Sequence, residues 1–264
     1  MVTPLRTYTV KQSSVCIYSS KSETGKAAAL DAAQLMRDAI SRQGQVRIIV
    51  PTGNSQLDLI TALTADKTLD WKSVEIFHMD EYVGMSSSHP ASFARWLETY
   101  LTNVVSPGKV HYLRGDAANL EEHFQRYGAL LTSEMIDLCF LGFGENGHIA
   151  FNDPHVADFN DPSVVKRVSL DKKCRAQQVG EGHFPNLTAV PEEAITLTCP
   201  TLMNARNLIC CVPERRKAEA LRDALQGPLS VNCPASLVVT HPGATIYLDL
   251  ESASYLSPSQ MSRQ

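Results

Sequence analysis

The sequence predicts an α/β protein with a mostly parallel sheet and helices on both of its faces. Short β-branched runs alternate with amphipathic stretches along the chain. Two of those runs end in acid, base or glycine, where ligands bind in an open α/β sheet. The richer of the two is Asp137-Leu-Cys-Phe-Leu-Gly-Phe-Gly-Glu-Asn-Gly-His-Ile-Ala-Phe-Asn-Asp-Pro154. Its apolar run, Leu138 to Leu141, leads into three glycines, then His148, with Asp153 five residues on.

The elements follow in order. Val15 to Tyr18 reads as a first strand. Ser22 to Gln43 carries a helical stripe of Ala28, Leu30, Ala33, Leu35, Met36 and Ile40. Val46 to Val50 is a strand that ends in Pro51-Thr-Gly-Asn-Ser55, and a helix runs from there to about Ala65. Val74 to His78 is the strand before Asp80, while Phe93 to Asn103 and Leu120 to Leu131 read as helices. From Asp153 to about Pro191 the chain is polar and irregular, and so long an insert in a compact domain predicts a lid or binding loop. Ile195 to Thr198 and Asn207 to Val212 read as strands, and Glu214 to Gln226 as a helix stopped by Gly227-Pro228. Leu237 to Thr240 and Thr245 to Leu250 read as closing strands, and the last ten or so residues as frayed. The whole, residues 1–264, is expected to form one α/β domain with a lid-like insert at about 154–190.

Composition narrows the function. The 264 residues carry a net charge of −4 with scattered basic residues, which argues against a nucleic-acid surface. No apolar run approaches the roughly 20 residues that span a bilayer, and the first residues lack a signal peptide's apolar stretch. Membrane association is therefore not expected. Seven cysteines include no C-x-x-C pair and sit among apolar neighbours, so they read as reduced core residues of a cytoplasmic protein. No metal site is expected. The numbers leave a homo-oligomer open.

Four segments can carry chemistry. Free N–H groups at the helix start in 51–55 can bind an anion, aided by the Thr52 and Ser55 hydroxyls, or they can serve only as a capped helix start. Lys217 can supply the positive charge, or be a solvated lysine. There is no P-loop and no G-x-G-x-x-G, so no nucleotide cofactor is indicated. Asp80 and Glu81 are neighbours in extended chain and point opposite ways, so only one faces a cavity. A carboxylate there can move a proton between adjacent carbons, or cap a helix. His148 is a candidate acid/base, or a core histidine bonded to backbone. Asp153 can orient its ring or cap the next turn. His89-Pro90 and His241-Pro242 look like turn histidines. No G-x-S-x-G elbow exists, and no cysteine has a nucleophile's context, which disfavours covalent catalysis.

Together these segments resemble the glucosamine-6-phosphate deaminase (isomerase) family, relatives of the 6-phosphogluconolactonases. The matching pieces are Pro51-Thr-Gly53, Phe77-His-Met-Asp-Glu-Tyr-Val-Gly84, His89-Pro90 with Ser92-Phe93, Leu141 through Pro154, Val190-Pro191 with Ala194-Ile-Thr-Leu-Thr198, and Lys217-Ala218. The Ala-Phe-Asn after Gly-His resembles the deaminase branch. The resemblance implies a modified Rossmann-like sheet, no cofactor, and a small-molecule amino sugar phosphate as substrate. The ring opens, a proton passes from C2 towards C1 through an enolamine, and ammonia leaves to give a ketose phosphate. It implies Asp80 as the C2 base and His148 as the ring-opening acid/base, with Glu81 beside the base. Asn146 and Asp153 stand at the two acidic positions that flank the family's histidine. Thr52, Gly53, Asn54, Ser55 and Lys217 hold the phosphate.

The chain departs from the family at three places. Asn146 stands where many members have Asp, and Asp153 where many have Glu. Relatives also bring a lid arginine to the phosphate, but Gln178-Val-Gly-Glu-Gly-His-Phe-Pro185 contains none. That loss would weaken binding by up to a few kcal/mol unless His183 or Arg175 replaces it. Residues 155–175 do not resemble the allosteric segment of regulated deaminases, which implies no activation of that type. Two alternatives compete: hydrolysis of a sugar-phosphate lactone, and a non-catalytic sugar-phosphate sensor.

Overall fold

The computed structural model describes residues 2–257, so the expectation for the frayed C-terminus falls, from residue 258 on, outside the described residues. Among the described residues, eleven strands form two sheets. They are β1 (Arg6–Val10), β2 (Ser13–Tyr18), β3 (Val46–Val50), β4 (Val74–His78), β5 (Asp80–Tyr82), β6 (Lys109–His111), β7 (Leu138–Leu141), β8 (Val165–Ser169), β9 (Glu193–Leu197), β10 (Asn207–Val212) and β11 (Ala244–Asp249). The larger sheet has the order β1-β2-β11-β10-β7-β3-β4-β6 and is parallel except for the β1–β2 hairpin. The smaller, β5-β9-β8, is antiparallel.

Helices cover both faces, as expected. They are α1 (Lys21–Gln43), α2 (Leu57–Ala65), α3 (Phe93–Leu97), α4 (Asn103–Val105), α5 (Leu120–Thr132), α6 (Lys172–Gly180), α7 (Cys199–Met203) and α8 (Ala218–Gln226). Alternating strand residues feed the two sides, because successive side chains in a strand point to opposite faces. Leu138, Phe140, Ile209 and Cys211 pack in the core with α1 and α2, whereas Cys139, Leu141, Cys210 and Val212 pack with α5 and α8. Ser20 caps α1 by accepting the Glu23 N–H at 3.3 Å, and Gly44 ends it at φ 79°.

Three expectations need correction. Leu237 to Thr240 is not a strand; Pro234 starts a 3-10 helix over Pro234–Thr240. Phe93 to Asn103 is helical but interrupted by a π turn at Glu98–Thr102. The polar stretch from Asp153 to Pro191 is not irregular throughout, since it folds β8 and α6. Asp171 accepts the Cys174 N–H at 2.6 Å and so caps α6.

Strand order places the site. From β3 the chain moves outward through β4 to β6, then returns to β7 on the other flank of β3 and continues to β10 and β11. The direction of winding therefore reverses between β3 and β7, and a crevice opens there beyond the strands' carboxyl ends.

Candidate active site

The loop after β3 presents free backbone donors of the kind that can cradle an anion. Gly53 takes φ 107°, a conformation that strains any side chain. Gln56 N–H closes the turn on the Gly53 carbonyl at 3.0 Å. Among the described residues, the N–H groups of Thr52, Gly53, Asn54 and Ser55 donate to no protein acceptor. Thr52, Gly53 and Ser55 line a cleft. Asn54 does not; its amide turns away and donates to the Glu181 carbonyl at 3.3 Å.

The end of β4 separates the two acids as the alternation requires. Asp80 lines the cleft, and its carboxylate makes no hydrogen bond among the described residues. Burial, with the charge of Glu81 beside it, pushes its pKa up to about 8. Glu81 faces the other way, which corrects its assignment to the chemistry. It accepts hydrogen bonds from the Ser92 hydroxyl (2.7 Å) and from the Phe93 and Ala94 N–H groups (3.3 and 3.0 Å) at the start of α3. Glu81 is a helix cap and holds the strand end in place.

His148 hangs from the loop after β7. Its ring lies flat on Gly144, where an added Cβ would stand 2.2 Å from Cε1. Its Nδ1 is 2.9 Å from Asp153 Oδ1, an ion-pair contact when the ring is charged, although the approach falls outside in-line hydrogen-bond geometry. Asn146 is behind this pair and does not line the cleft. It accepts the His148 N–H at 3.1 Å and donates to Asp153 Oδ1 and Asp171 Oδ2, both at 2.9 Å. Burial would raise the Asp153 pKa, but His148, the Asn146 amide and the Asp171 N–H more than offset it.

The insert and the start of α8 close the cleft. Lys217 is 3% exposed and lines it, and burial with the neighbouring Arg216 charge lowers its pKa to about 8. From α6 and the turn after it come Gln177, Gln178, Glu181 and His183. The Tyr82 hydroxyl donates to Gln178 Oε1 at 2.9 Å. Glu181 and the two glutamines were missed in sequence because polar residues on a short polar helix look like solvated surface. His89 and His241 do not line the cleft; each accepts a nearby backbone N–H through Nδ1.

Residues 19–247 match the family model for glucosamine-6-phosphate isomerases/6-phosphogluconolactonase. The chain belongs to this family. It is 34% identical to a glucosamine-6-phosphate deaminase of Exiguobacterium sibiricum, over 85% of this chain and 87% of that one. A deaminase of Listeria monocytogenes is 32% identical over 81% of this chain and 89% of its own. Among solved structures, a monomeric glucosamine-6-phosphate deaminase superposes with a TM-score of 0.82 at 27% identity, covering 91% of this chain and 99% of that one. A 6-phosphogluconolactonase of Shewanella baltica, at TM-score 0.72 and 20% identity over 92% of this chain and 97% of its own, shares the fold.

Within this family frame, the two stand-ins for the lid arginine part ways. Arg175 is committed elsewhere: its Nη2 donates to the Leu187 and Val190 carbonyls at 2.8 and 3.0 Å, outside the cleft. His183 lines the cleft, with Nε2 3.4 Å from Glu181 Oε2. Among the described residues, two groups of three donors come within 4.8 Å of one another: His148 with Asp153 and Cys174, and Asp153 with His155 and Asp171. Both depend on Asp153, whose Oδ1 already meets Asn146 and His148 and whose Oδ2 accepts the Asp171 N–H at 3.2 Å. Burial and the Asp153 and Asp171 charges push the Cys174 thiol well above its usual pKa, so it is a poor thiolate donor. These groups fit a hydrogen-bonded cluster better than a metal centre.

Proposed function

We propose that this protein converts an amino sugar phosphate, glucosamine 6-phosphate or a close relative, with water into the ketose phosphate and ammonia. One observation carries the reading: a buried, unbonded carboxylate at Asp80 shares a cleft with the His148–Asp153 pair and with an unsatisfied anion cradle. Identity above 30% to deaminases over most of the chain supports the substrate class. The loop at 52–55 and Lys217 hold the phosphate and so fix the far end of the sugar. His148 passes a proton between the ring oxygen and the C1 hydroxyl, which opens the pyranose; Asp153 stabilises the imidazolium that forms.

Asp80 then removes the C2 proton and returns it at C1. A carboxylate whose pKa burial has raised is a stronger base than an ordinary one, which suits it to a carbon acid. The enolamine becomes an iminium, water adds at C2, and the C–N bond breaks with release of ammonia. The insert from 154 to 190 serves as a lid that limits water in the cleft. Buried, reduced thiols are in keeping with a cytoplasmic enzyme.

A coupled ammonia assay over a panel of hexosamine phosphates tests the reading. Ammonia and ketose phosphate in equal amounts are expected. Acid release from 6-phosphogluconolactone, with no ammonia from any member, would replace it with the lactonase reading; binding without turnover would replace it with the sensor.

A further inference from the structure

The anion cradle is not empty of charge. Glu181 follows the last residue of α6 and turns its carboxylate into the cleft, where its side chain is 8% exposed. Oε1 accepts from Arg216 Nη1 and from Gln177 Nε2, the latter at 2.8 Å. Oε2 is 3.4 Å from His183 Nε2 and 4.0 Å from where a Cβ on Gly53 would stand. A helix C-terminus disfavours an anion, so the cations hold it there. Burial would push the carboxyl up, but His183, Arg216 and Lys217 bring it down to about 2.

We propose that Glu181 is a resident counter-anion in the phosphate subsite, and that an incoming phosphate displaces it and takes over Arg216 and His183. This rests on the reading of the cleft as a sugar-phosphate site. A phosphate carries a charge of about −1.5 to −2 at pH 7 and cannot share a buried site with a second anion at such range. Glu181 has somewhere to go. Glycines 180 and 182 flank it, and it also borders a second cleft, lined by Lys21 as well as Arg216. Arg216 is braced for the exchange by Glu214, which accepts from its Nε at 2.5 Å. The guanidinium that the 178–185 stretch lacks is then supplied from the turn before α8 and is shielded until substrate arrives. Binding is weaker as a result but selective for an anion that can outcompete a carboxylate.

Inorganic phosphate, titrated into the full chain by calorimetry at pH 7 and fixed ionic strength, tests this without any turnover. Glu145→Gln is the control: Glu145 is 3.2 Å from the same Arg216 Nη1 and, like Arg216, lines only the second cleft, whereas Glu181 borders both clefts and so lies between Arg216 and the cradle. Glu181→Gln should bind phosphate about tenfold tighter or better, with Glu181→Ala in the same direction, and Arg216→Gln should bind at least about tenfold more weakly than wild type. The proposal is overturned if Glu181→Gln and Glu181→Ala bind no tighter than wild type, if Glu145→Gln gains as much, if Arg216→Gln is unaffected, or if no variant binds phosphate. Absence of ammonia in the activity assay would instead sink the functional reading and leave these binding results standing.

Discussion

Asn146 Nδ2 and His148 Nδ1 meet the same oxygen, Asp153 Oδ1, each at 2.9 Å. The amide that stands where many relatives have an acid is therefore a donor that two carboxylates need. It bridges Asp153 and Asp171, and Asp171 caps α6, so α6 is tied to the acid behind the His148 imidazole. The amide thereby orients the one carboxylate that faces the ring.

Asn146→Asp should therefore not act as a harmless return to the commoner residue. A third carboxylate would face Asp153 and Asp171 with no N–H between them. The tie to α6 through Asp171 should loosen, and the fold should lose about 1–3 kcal/mol at pH 7. Urea unfolding of wild type and variant measures the loss; an unchanged midpoint contradicts the arrangement.

Gly144→Ala puts a methyl where the His148 ring now lies, at 2.2 Å from Cε1. The ring must swing away from Asp153, so kcat should fall by about 10²-fold or more with phosphate affinity kept. Steady-state kinetics and phosphate inhibition separate the two effects. A variant with wild-type kcat would show that the ring position does not matter.

Glu81→Ala should destabilise the fold by about 2–4 kcal/mol, since it strips the Ser92 hydroxyl and the buried N–H groups of Tyr82, Phe93 and Ala94 of their acceptor. Urea unfolding measures the loss. Loss of activity without loss of stability would return Glu81 to the chemistry.

Much of the sheet was legible in sequence, and the reasons are physical. Strands such as Val46–Val50 and Leu138–Leu141 are buried on both faces and so are unbroken apolar runs between turn signals. β1 went unread because Arg6–Val10 is a polar edge hairpin with largely exposed residues. Leu237–Thr240 fits a buried strand as well as a short buried helix; periodicity over four residues cannot choose, and Pro234 chose. In the site, the Asp80/Glu81 alternation marked one acid for the cleft, and tertiary packing decided which. Glu181 and Arg216 could not be paired from sequence, because they lie 35 positions apart on a polar helix end and a turn.

Activity should peak near pH 8. Asp80 must be ionised to act, so kcat/KM rises as pH climbs through about 8. Lys217 must be charged to hold phosphate, so affinity falls as pH passes about 8. A profile flat from pH 6 to 10 contradicts both assignments. Stability carries the Asp80 shift with the opposite trend. Its folded pKa lies above the ordinary value near 3.9, so between about pH 4 and 8 the folded state holds a proton that the unfolded state has lost. That contribution to stability is whole below about pH 4 and fades as pH rises to about 8. Asp80→Asn should remove the decline, which urea midpoints at pH 5 and pH 9 would register; an identical decline in the variant contradicts the burial argument.

The central claim is that the Asp80 carboxylate moves the C2 proton in the cleft it shares with His148. Ammonia release from glucosamine 6-phosphate, by wild type and by Asp80→Asn at pH 8, tests it most directly. The account predicts one ammonia per ketose phosphate from wild type, and a rate about 10²- to 10⁴-fold lower from the variant with phosphate affinity within about twofold. A variant that releases ammonia at the wild-type rate would contradict it.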